Sequence, residues 1–184
     1  SLLKRKTPYE ILKEEHTIYK YRNLIELNYE TDQAFLSKNN KIRIITDGKE
    51  KFKLLFEDIK NAKQYIHIQY YILKKDGIGK QLFSLLEQKL KEGVQVYILY
   101  DDIGSRKLSI SSLKNLTDNN AKIKSFFKSR FPLINFRMNY RNHRKLVIID
   151  GDIGYTGGFN VGDEYLGLDK KFGYWRDTHL RIEG

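Results

Sequence analysis

The chain has 184 residues, with 40% hydrophobic and 31% charged residues and a formal net charge of +11. This length and composition predict one domain of ordinary size with enough chain to bury a core. Because cysteine is absent, disulfides and cysteine-ligated metals are excluded. The spacing of the four histidines does not match a zinc site, so we do not expect a zinc ion. The positive charge predicts attraction to a polyanion, either nucleic acid or an anionic membrane surface, without choosing between them.

Residues 1–40 are expected to form a segment of their own. The apolar periodicity predicts an amphipathic helix over residues 8–28, with a capping threonine and a proline in its first turn. A polar linker is expected over residues 29–40. The basic triplet at residues 4–6 is typical of chains that lie beside membranes, and equally of a solvated helix end.

Strand and helix patterns alternate from residue 41 onward. Predicted strands cover residues 41–46, 64–73, 94–101 and 121–127, and predicted helices cover residues 49–62, 78–93 and 109–118. Strands separated by helices need crossover connections, which predicts parallel pairing with helices on both faces of the sheet. After residue 138 the pattern changes to strand pairs, with a hairpin over 144–149 and 153–158 and a last strand over 175–183. The predicted architecture of residues 41–184 is an α/β/α sandwich on a mixed, largely parallel sheet.

The chemistry is concentrated around His143 and Lys145. These residues are two positions apart in a strand-forming run, and alternate residues of a strand point to the same face. An imidazole beside an ammonium suits attack on a phosphate ester, because the ring can act as nucleophile or transfer a proton while the cation neutralises phosphate oxygens. Taken alone, such a pair is more commonly a solvated or packed strand face.

The surrounding residues make the pattern specific. Asp150, Gly157, Gly158 and Asn160 complete an HxKxxxxD…GGxN pattern, so the chain resembles the phospholipase D superfamily. Five segments are similar to the amino-terminal half of bacterial cardiolipin synthases, namely residues 66–72, 100–105, 141–151, 157–167 and 175–184. The resemblance covers about residues 40–184 and implies a phospholipase D-like fold that forms one half of a two-motif enzyme.

The resemblance also implies a reaction. In the superfamily a histidine attacks phosphorus to form a phosphohistidine, and a second histidine from another copy of the motif protonates the leaving alcohol. His143 would be one of these two groups, in a phosphatidyltransferase that makes cardiolipin from two phosphatidylglycerol molecules without a cofactor. Lys145 would bind the phosphate oxygens, Asn160 would donate two amide N–H bonds to them, and Gly157 and Gly158 would supply backbone N–H groups.

Two carboxylates are treated separately. Asp150 belongs to the motif, but five residues of strand span roughly 16 Å, so we expect it to stabilise a turn rather than to touch a phosphate held by Lys145. Asp177 matches the family position of an acid that would orient the His143 ring through its second nitrogen. An ordinary surface aspartate on an edge strand is the alternative for Asp177.

Several further residues are weaker candidates. Tyr70, Tyr71 and Asp101 lie at the carboxyl ends of predicted strands, where α/β folds place their sites, and are expected to line a pocket. His67 is expected to be a packed histidine, and His179 to share a face with Asp177.

Residues 124–141 interleave basic and apolar side chains. This composition favours contact with lipid headgroups through Phe127 and Phe131, stacking on nucleobases, or a half-buried loop.

A single motif leaves the site incomplete, because the superfamily site needs two histidines and two lysines. We therefore expect a second motif beyond Gly184 or a homodimer, with the apolar joining surface exposed. The sequence has no run of about 18 apolar residues, so it predicts no bilayer-spanning helix within residues 1–184. A membrane anchor is expected ahead of residues 1–40. The expected location is peripheral to a bacterial cytoplasmic membrane, with phosphatidylglycerol and the anionic bilayer, rather than nucleic acid, as partners. The alternatives are a single-motif phosphodiesterase or nuclease active as a homodimer, and a non-catalytic half that only binds anions.

Overall fold

The computed structural model describes residue 7 and residues 9–11, 16–126 and 141–184. The chain divides into two compact units, Ser1–Asn40 and Lys41–Gly184. The basic and apolar stretch considered for lipid or nucleobase contact, with Phe127 and Phe131, lies mostly outside the described residues.

The described part of the first unit is mostly helical up to Asp32 and has no helix over residues 33–40. A 3-10 helix over His16–Tyr21 leads into helix α1, Arg22–Asp32, which ends at Gln33 with a left-handed φ of 52°. The helix therefore extends into the region where a linker was expected. No residue of α1 is buried, and none of the described helices of the chain has the length and apolar character needed to cross a bilayer.

The second unit contains a seven-stranded sheet, counted over the described residues. Its strands are β1 Lys41–Asp47, β2 Tyr65–Tyr70, β3 Gln95–Asp101, β4 Lys122–Phe126, β5 Leu146–Ile149, β6 Ile153–Gly157 and β7 Arg176–Glu183. Its helices are α2 Gly48–Asn61, α3 Gly77–Lys91 and α4 Lys114–Asp118, with 3-10 helices at Ile110–Leu113 and Asp163–Leu166. The order across the sheet is β1-β7-β6-β5-β2-β3-β4.

The α/β class and the mixed sheet are confirmed, but the expected predominance of parallel pairing is wrong. Only β2–β3 and β3–β4 pair in parallel among the described strands, and the other neighbours are antiparallel. The cause is the tight turn at Asp150, which forces β6 to run antiparallel to β5, while β5 itself returns antiparallel along β2. Strand β1 lies at the far edge beside β7 rather than beside β2.

The core lies between one face of the sheet and the helices. Alternate residues of β2, Ile66 and Ile68, share this core with Leu55 of α2, Leu82 of α3 and Leu116 of α4. The other face carries an open groove of about 330 Å³. Its lining includes His67, Gln69, Tyr97, Leu99, Leu146 and Ile148. A second helical layer over this groove is not seen in the described part of the chain.

Strand directions bring the motif residues to one edge. Because β5 and β7 run opposite to the other strands, their amino ends meet the carboxyl ends of β1, β2, β3 and β6. We refer to this side of the sheet as the site edge. Helix α2 also begins there, where the Asp47 side chain accepts a hydrogen bond from the backbone N–H of Glu50 at 3.0 Å.

Candidate active site

His143 and Lys145 lie side by side just ahead of β5, as their spacing predicted. The Nζ of Lys145 is 3.0 Å from Nδ1 of His143 and also donates to the His143 backbone carbonyl. The Lys145 side chain is buried, whereas the His143 side chain is exposed at the site edge. An exposed imidazole with an ammonium beneath it can receive a phosphate from solvent.

The local environment keeps the imidazole neutral. Burial lowers the pKa of His143 below its usual 6.5, the charge of Lys145 lowers it further, and Asp101 opposes the shift. Burial also lowers the pKa of Lys145, and the carboxylate of Asp177 counteracts that effect. A neutral ring retains the lone pair that a nucleophile or a general base requires.

The ring of Tyr71 covers His143. The two ring centroids are 4.0 Å apart with an angle of 30° between the planes, and Nζ of Lys145 lies 5.5 Å from the Tyr71 centroid. The loop after β3 holds Tyr71 in place, because the Ser105 hydroxyl donates to the Tyr71 carbonyl at 3.0 Å. A Cβ on Gly104 would lie 2.9 Å from the Tyr71 ring, so only glycine fits there.

Asp101 connects this loop to the segment that carries the histidine. Its buried carboxylate accepts from the N–H groups of Ile103 at 3.0 Å and Gly104 at 2.9 Å. The second oxygen accepts from the N–H of Asn142 at 3.3 Å, one residue before His143. Asp101 thus fixes both layers of the Tyr71–His143 stack instead of lining an open pocket.

Gly157 and Gly158 allow β7 to approach the end of β6 closely. A Cβ on Gly158 would overlap the carboxylate of Asp177, and one on Gly157 would overlap the backbone of Thr178 and His179. The N–H of Gly158 donates to the Thr178 carbonyl at 2.9 Å, so it is not free to bind phosphate as expected. The glycine pair places Asp177 at the site edge.

Asp177 acts on Lys145 rather than on the imidazole. Its carboxylate accepts from the backbone N–H of Thr178 at 2.7 Å and raises the pKa of Lys145, which burial lowers. Among the contacts of the described residues there is no hydrogen bond between Asp177 and His143. The expected hydrogen bond from the His143 ring to Asp177 is therefore not formed among the described residues, and the ring-orienting role of Asp177 stays a prediction.

Asn160 is committed largely to the fold. Its side-chain oxygen accepts from the N–H of Ile72 at 3.0 Å, and its amide donates to the hydroxyl of Tyr165 at 2.9 Å. The amide is buried, and one N–H is already engaged. Since an amide has two N–H donors, at most one remains, and the expected pair of bonds to phosphate does not fit this geometry.

Asp150 occupies the far end of β5, as the strand length requires. Its carboxylate accepts from the backbone N–H groups of Lys63 at 2.7 Å, Gln64 at 2.8 Å and Tyr65 at 2.9 Å. Burial raises its pKa, but the three backbone donors outweigh burial and leave the pKa below its usual value. These contacts support the turn-stabilising role, and its φ of 55° is a conformation that aspartate tolerates.

Sequence reasoning missed a buried lysine next to the site. The Nζ of Lys51 donates to the hydroxyl of Tyr70 at 2.8 Å and lies 3.7 Å from the Phe52 ring centroid. The side chain is fully buried, and burial lowers its pKa well below 10.5. A signal was present, because Lys51 stands at the same helical spacing as the core residues Leu55 and Ile59.

His179 lies within the electrostatic reach of two lysines. It is fully buried, and neither ring nitrogen has a hydrogen-bond partner among the described residues. Burial lowers its pKa to about 3, with further contributions from the charges of Lys51 and Lys145. It shares the face of Asp177, as parity predicted. His67 instead packs between Tyr65 and Tyr97, on the face opposite the core. The described residues form no cluster of acidic or histidine side chains suited to a metal ion.

Solved structures share this fold at low sequence identity. Phosphatidylserine synthase from Haemophilus influenzae superimposes with a TM-score of 0.60 and 19% identity, covering 78% of this chain and 33% of that chain. NucT from Helicobacter pylori gives a TM-score of 0.58 and 18% identity, covering 79% of this chain and 86% of that chain. At these identities the likeness concerns the fold alone.

Sequence comparison is more specific. Cardiolipin synthase 2 of Staphylococcus epidermidis is 55% identical over 172 residues, which are 94% of this chain and 35% of the relative. The chain thus spans about a third of the length of that relative. A family model described as the phospholipase D-like domain of cardiolipin synthase matches residues 55–172, which include His143 and Lys145. The chain belongs to this family of cardiolipin synthase, phospholipase D-like domains.

Proposed function

We propose that this chain supplies one half of the active site of a phosphatidyltransferase that makes cardiolipin from two phosphatidylglycerol molecules. The observation that carries the proposal is the buried ammonium of Lys145, 3.0 Å from Nδ1 of an exposed His143, in a chain with 55% identity to a cardiolipin synthase. The reaction would take place at the surface of a bacterial cytoplasmic membrane, where both lipid substrates lie. The net charge of +11 favours this anionic surface.

The contact between Lys145 and His143 describes the site before substrate binds. An ammonium can only donate, so Nδ1 accepts, and the proton of the neutral ring is on Nε2. A phosphate would draw Lys145 onto its oxygens, because an anion is a stronger acceptor than imidazole. The ring proton can then move to Nδ1, and Nε2 becomes free to attack.

The transfer proceeds in two steps. In the first, an imidazole nitrogen forms a bond to phosphorus while the bond from phosphorus to the glycerol headgroup oxygen breaks, and that oxygen takes a proton from a general acid. In the second, a hydroxyl of another phosphatidylglycerol attacks phosphorus, loses its proton to the same group and releases the histidine. The described part of this chain brings one exposed imidazole to the site edge, so the acid has to come from elsewhere.

A second half supplies that group in our proposal. The chain spans 35% of the length of the Staphylococcus epidermidis relative, which leaves room for another domain in a protein of that length. A homodimer of this chain would bring the same groups together by symmetry.

A chimera tests the function. The Staphylococcus epidermidis enzyme, with its corresponding region replaced by this chain, should make cardiolipin from phosphatidylglycerol. His143→Ala and Lys145→Met should each lower turnover by at least about a thousandfold, since the first removes the reacting imidazole and the second the cation that binds the phosphate oxygens. Arg144→Met is the matched control, because Arg144 is an exposed cation that lies between them in the sequence.

Cardiolipin formation that persists in the His143→Ala chimera would refute the proposal, as would equal losses of turnover for Lys145→Met and Arg144→Met. If this chain alone sediments as a dimer that cleaves DNA and leaves phosphatidylglycerol intact, the nuclease alternative replaces the transferase.

A further inference from the structure

Residues 168–175, which we call the docking loop, expose an unusual group of apolar side chains. Leu168 is 59% exposed, Phe172 is 52% exposed and Tyr174 is 69% exposed. Single exposed apolar residues are common on protein surfaces, but three within one short loop form a patch of the kind found at interaction sites.

The loop backbone is folded on itself, which holds these side chains outward. The N–H groups of Phe172 and Gly173 donate to the Asp169 carbonyl at 3.2 and 2.9 Å. Gly167 and Gly173 have left-handed φ values of 70° and 64°, and a Cβ on Gly167 would lie 3.4 Å from the Gly173 carbonyl. The apolar patch is therefore presented by a compact turn with a closed base.

Lysines surround the patch. Lys170 and Lys171 are exposed at its tip, and Lys75 and Lys107 line the open groove that Leu168 borders. None of these four forms an ion pair with the described residues. The groove also holds four carboxylates, and each has a partner: Glu164 pairs with Lys74, whereas the other three accept from backbone N–H groups, Asp76 from Asp163, Asp163 from the first residues of α3 and Asp169 from Lys171.

The docking loop is connected to the active site. The Trp175 ring packs edge-on against Tyr165 at a centroid distance of 5.0 Å, and the Tyr165 hydroxyl accepts from Asn160. Two residues after Trp175 the chain reaches Asp177 at the amino end of β7. A surface that contacts the loop is thus brought next to the site edge.

We propose that the docking loop inserts into the headgroup region of an anionic bilayer and so brings membrane lipid to His143 and Lys145. This inference rests on the proposed function and deepens it, because it identifies the surface that meets the substrate membrane. Aromatic and aliphatic side chains among lysines match the chemistry of such an interface, where the apolar groups enter the acyl boundary and the ammonium groups meet lipid phosphates. Nucleic acid fits less well, since Leu168 has no role in binding a phosphate backbone.

Trp175 is the single tryptophan of the chain and packs against Phe172 at 5.9 Å, so it reports on the loop. The chain is titrated with vesicles of phosphatidylglycerol and phosphatidylcholine, and with vesicles of phosphatidylcholine alone. We expect a blue shift of the Trp175 emission and cosedimentation with the anionic vesicles.

Variants assign the binding to the loop. The combined change Leu168→Ser, Phe172→Ser and Tyr174→Ser should weaken partitioning roughly a hundredfold, from roughly fivefold for each half-exposed side chain. Lys170→Gln with Lys171→Gln should weaken it roughly 25-fold on anionic vesicles only. The matched control is Ile44→Thr, because Ile44 is 67% exposed on β1 and β-branched threonine suits a strand.

Two results would overturn the inference: wild-type chain that does not partition onto anionic vesicles, or serine variants that partition like Ile44→Thr while circular dichroism shows them folded. The inference would also be overturned if the lysine changes abolish binding and the serine changes leave it intact. That result would indicate simple charge adsorption or a nucleic-acid surface. The readout is binding, so His143→Ala should partition normally. A chain that docks through the loop but whose chimera never transfers phosphatidyl groups would refute the proposed function and leave the docking loop in place.

Discussion

The buried histidine of β7 gives the fold a specific acid sensitivity. His179 has a folded pKa of about 3 against a usual value of 6.5, because burial and the charges of Lys51 and Lys145 disfavour its imidazolium form. Above about pH 6.5 both the folded and the unfolded chain hold this ring neutral, and the group has no effect on stability. As the pH falls below that value, the His179 ring takes up a proton in the unfolded chain but stays neutral in the folded chain. This difference in proton uptake lowers the unfolding free energy by about 2 kcal/mol at about pH 5 and by about 3 kcal/mol at about pH 4.

His179→Leu isolates this effect. Leucine is of similar size and does not titrate, so the difference in unfolding free energy between the variant and the unmodified chain should move in favour of the variant by about 2 kcal/mol between about pH 7.5 and pH 5. Urea titrations followed by Trp175 fluorescence measure it at each pH. His67→Leu, which replaces an exposed histidine, is the matched control variant. A difference for His179→Leu that stays constant over this pH range would refute the buried, neutral ring.

Substitutions at three further positions test contacts next to the site and at the far end of β5. Lys51→Met should raise the unfolding free energy by about 1 kcal/mol in urea titrations, because it removes a buried ammonium that has one hydrogen-bond partner, the hydroxyl of Tyr70. A lower unfolding free energy in the variant would show instead that the ammonium stabilises the fold. Asp150→Ala should cost about 2–3 kcal/mol by the same assay and Asp150→Asn less, since asparagine keeps one acceptor and the left-handed φ. Gly158→Ala should displace Asp177 and lower both stability, by about 1–3 kcal/mol, and chimera turnover, whereas unchanged turnover would show that the position of Asp177 does not matter.

Local patterns predicted the parts of the site that depend on strand geometry. The two-residue spacing placed His143 beside Lys145, and the Asp150-Gly151 turn produced the β5–β6 hairpin. The length of β5 was enough to exclude Asp150 from the phosphate. These features follow from the period and rise of a strand, which a sequence contains directly.

The contacts between distant segments were not predictable in the same way. Asn160 binds the backbone of Ile72, and Asp101 binds that of Asn142, so both polar groups serve loops that are far away in the sequence. The sheet order was also missed, because the alternating pattern does not show that β1 pairs with β7. Such choices depend on which segments meet in three dimensions, and residue types alone leave several of them open.

The charges at the site edge show why an anionic ester suits it. The side chains of Lys51 and Lys145 are both buried within electrostatic reach of His179, and each ammonium has a lowered pKa. Asp177 offsets part of this charge through its effect on Lys145 alone. An ammonium in a poorly solvated position destabilises the fold unless a negative group is near. A phosphodiester that reaches Lys145 would therefore offset part of the unfavourable free energy of this buried charge. The buried charge that destabilises the chain without a ligand would thus favour binding of a phosphate beside the exposed imidazole of His143.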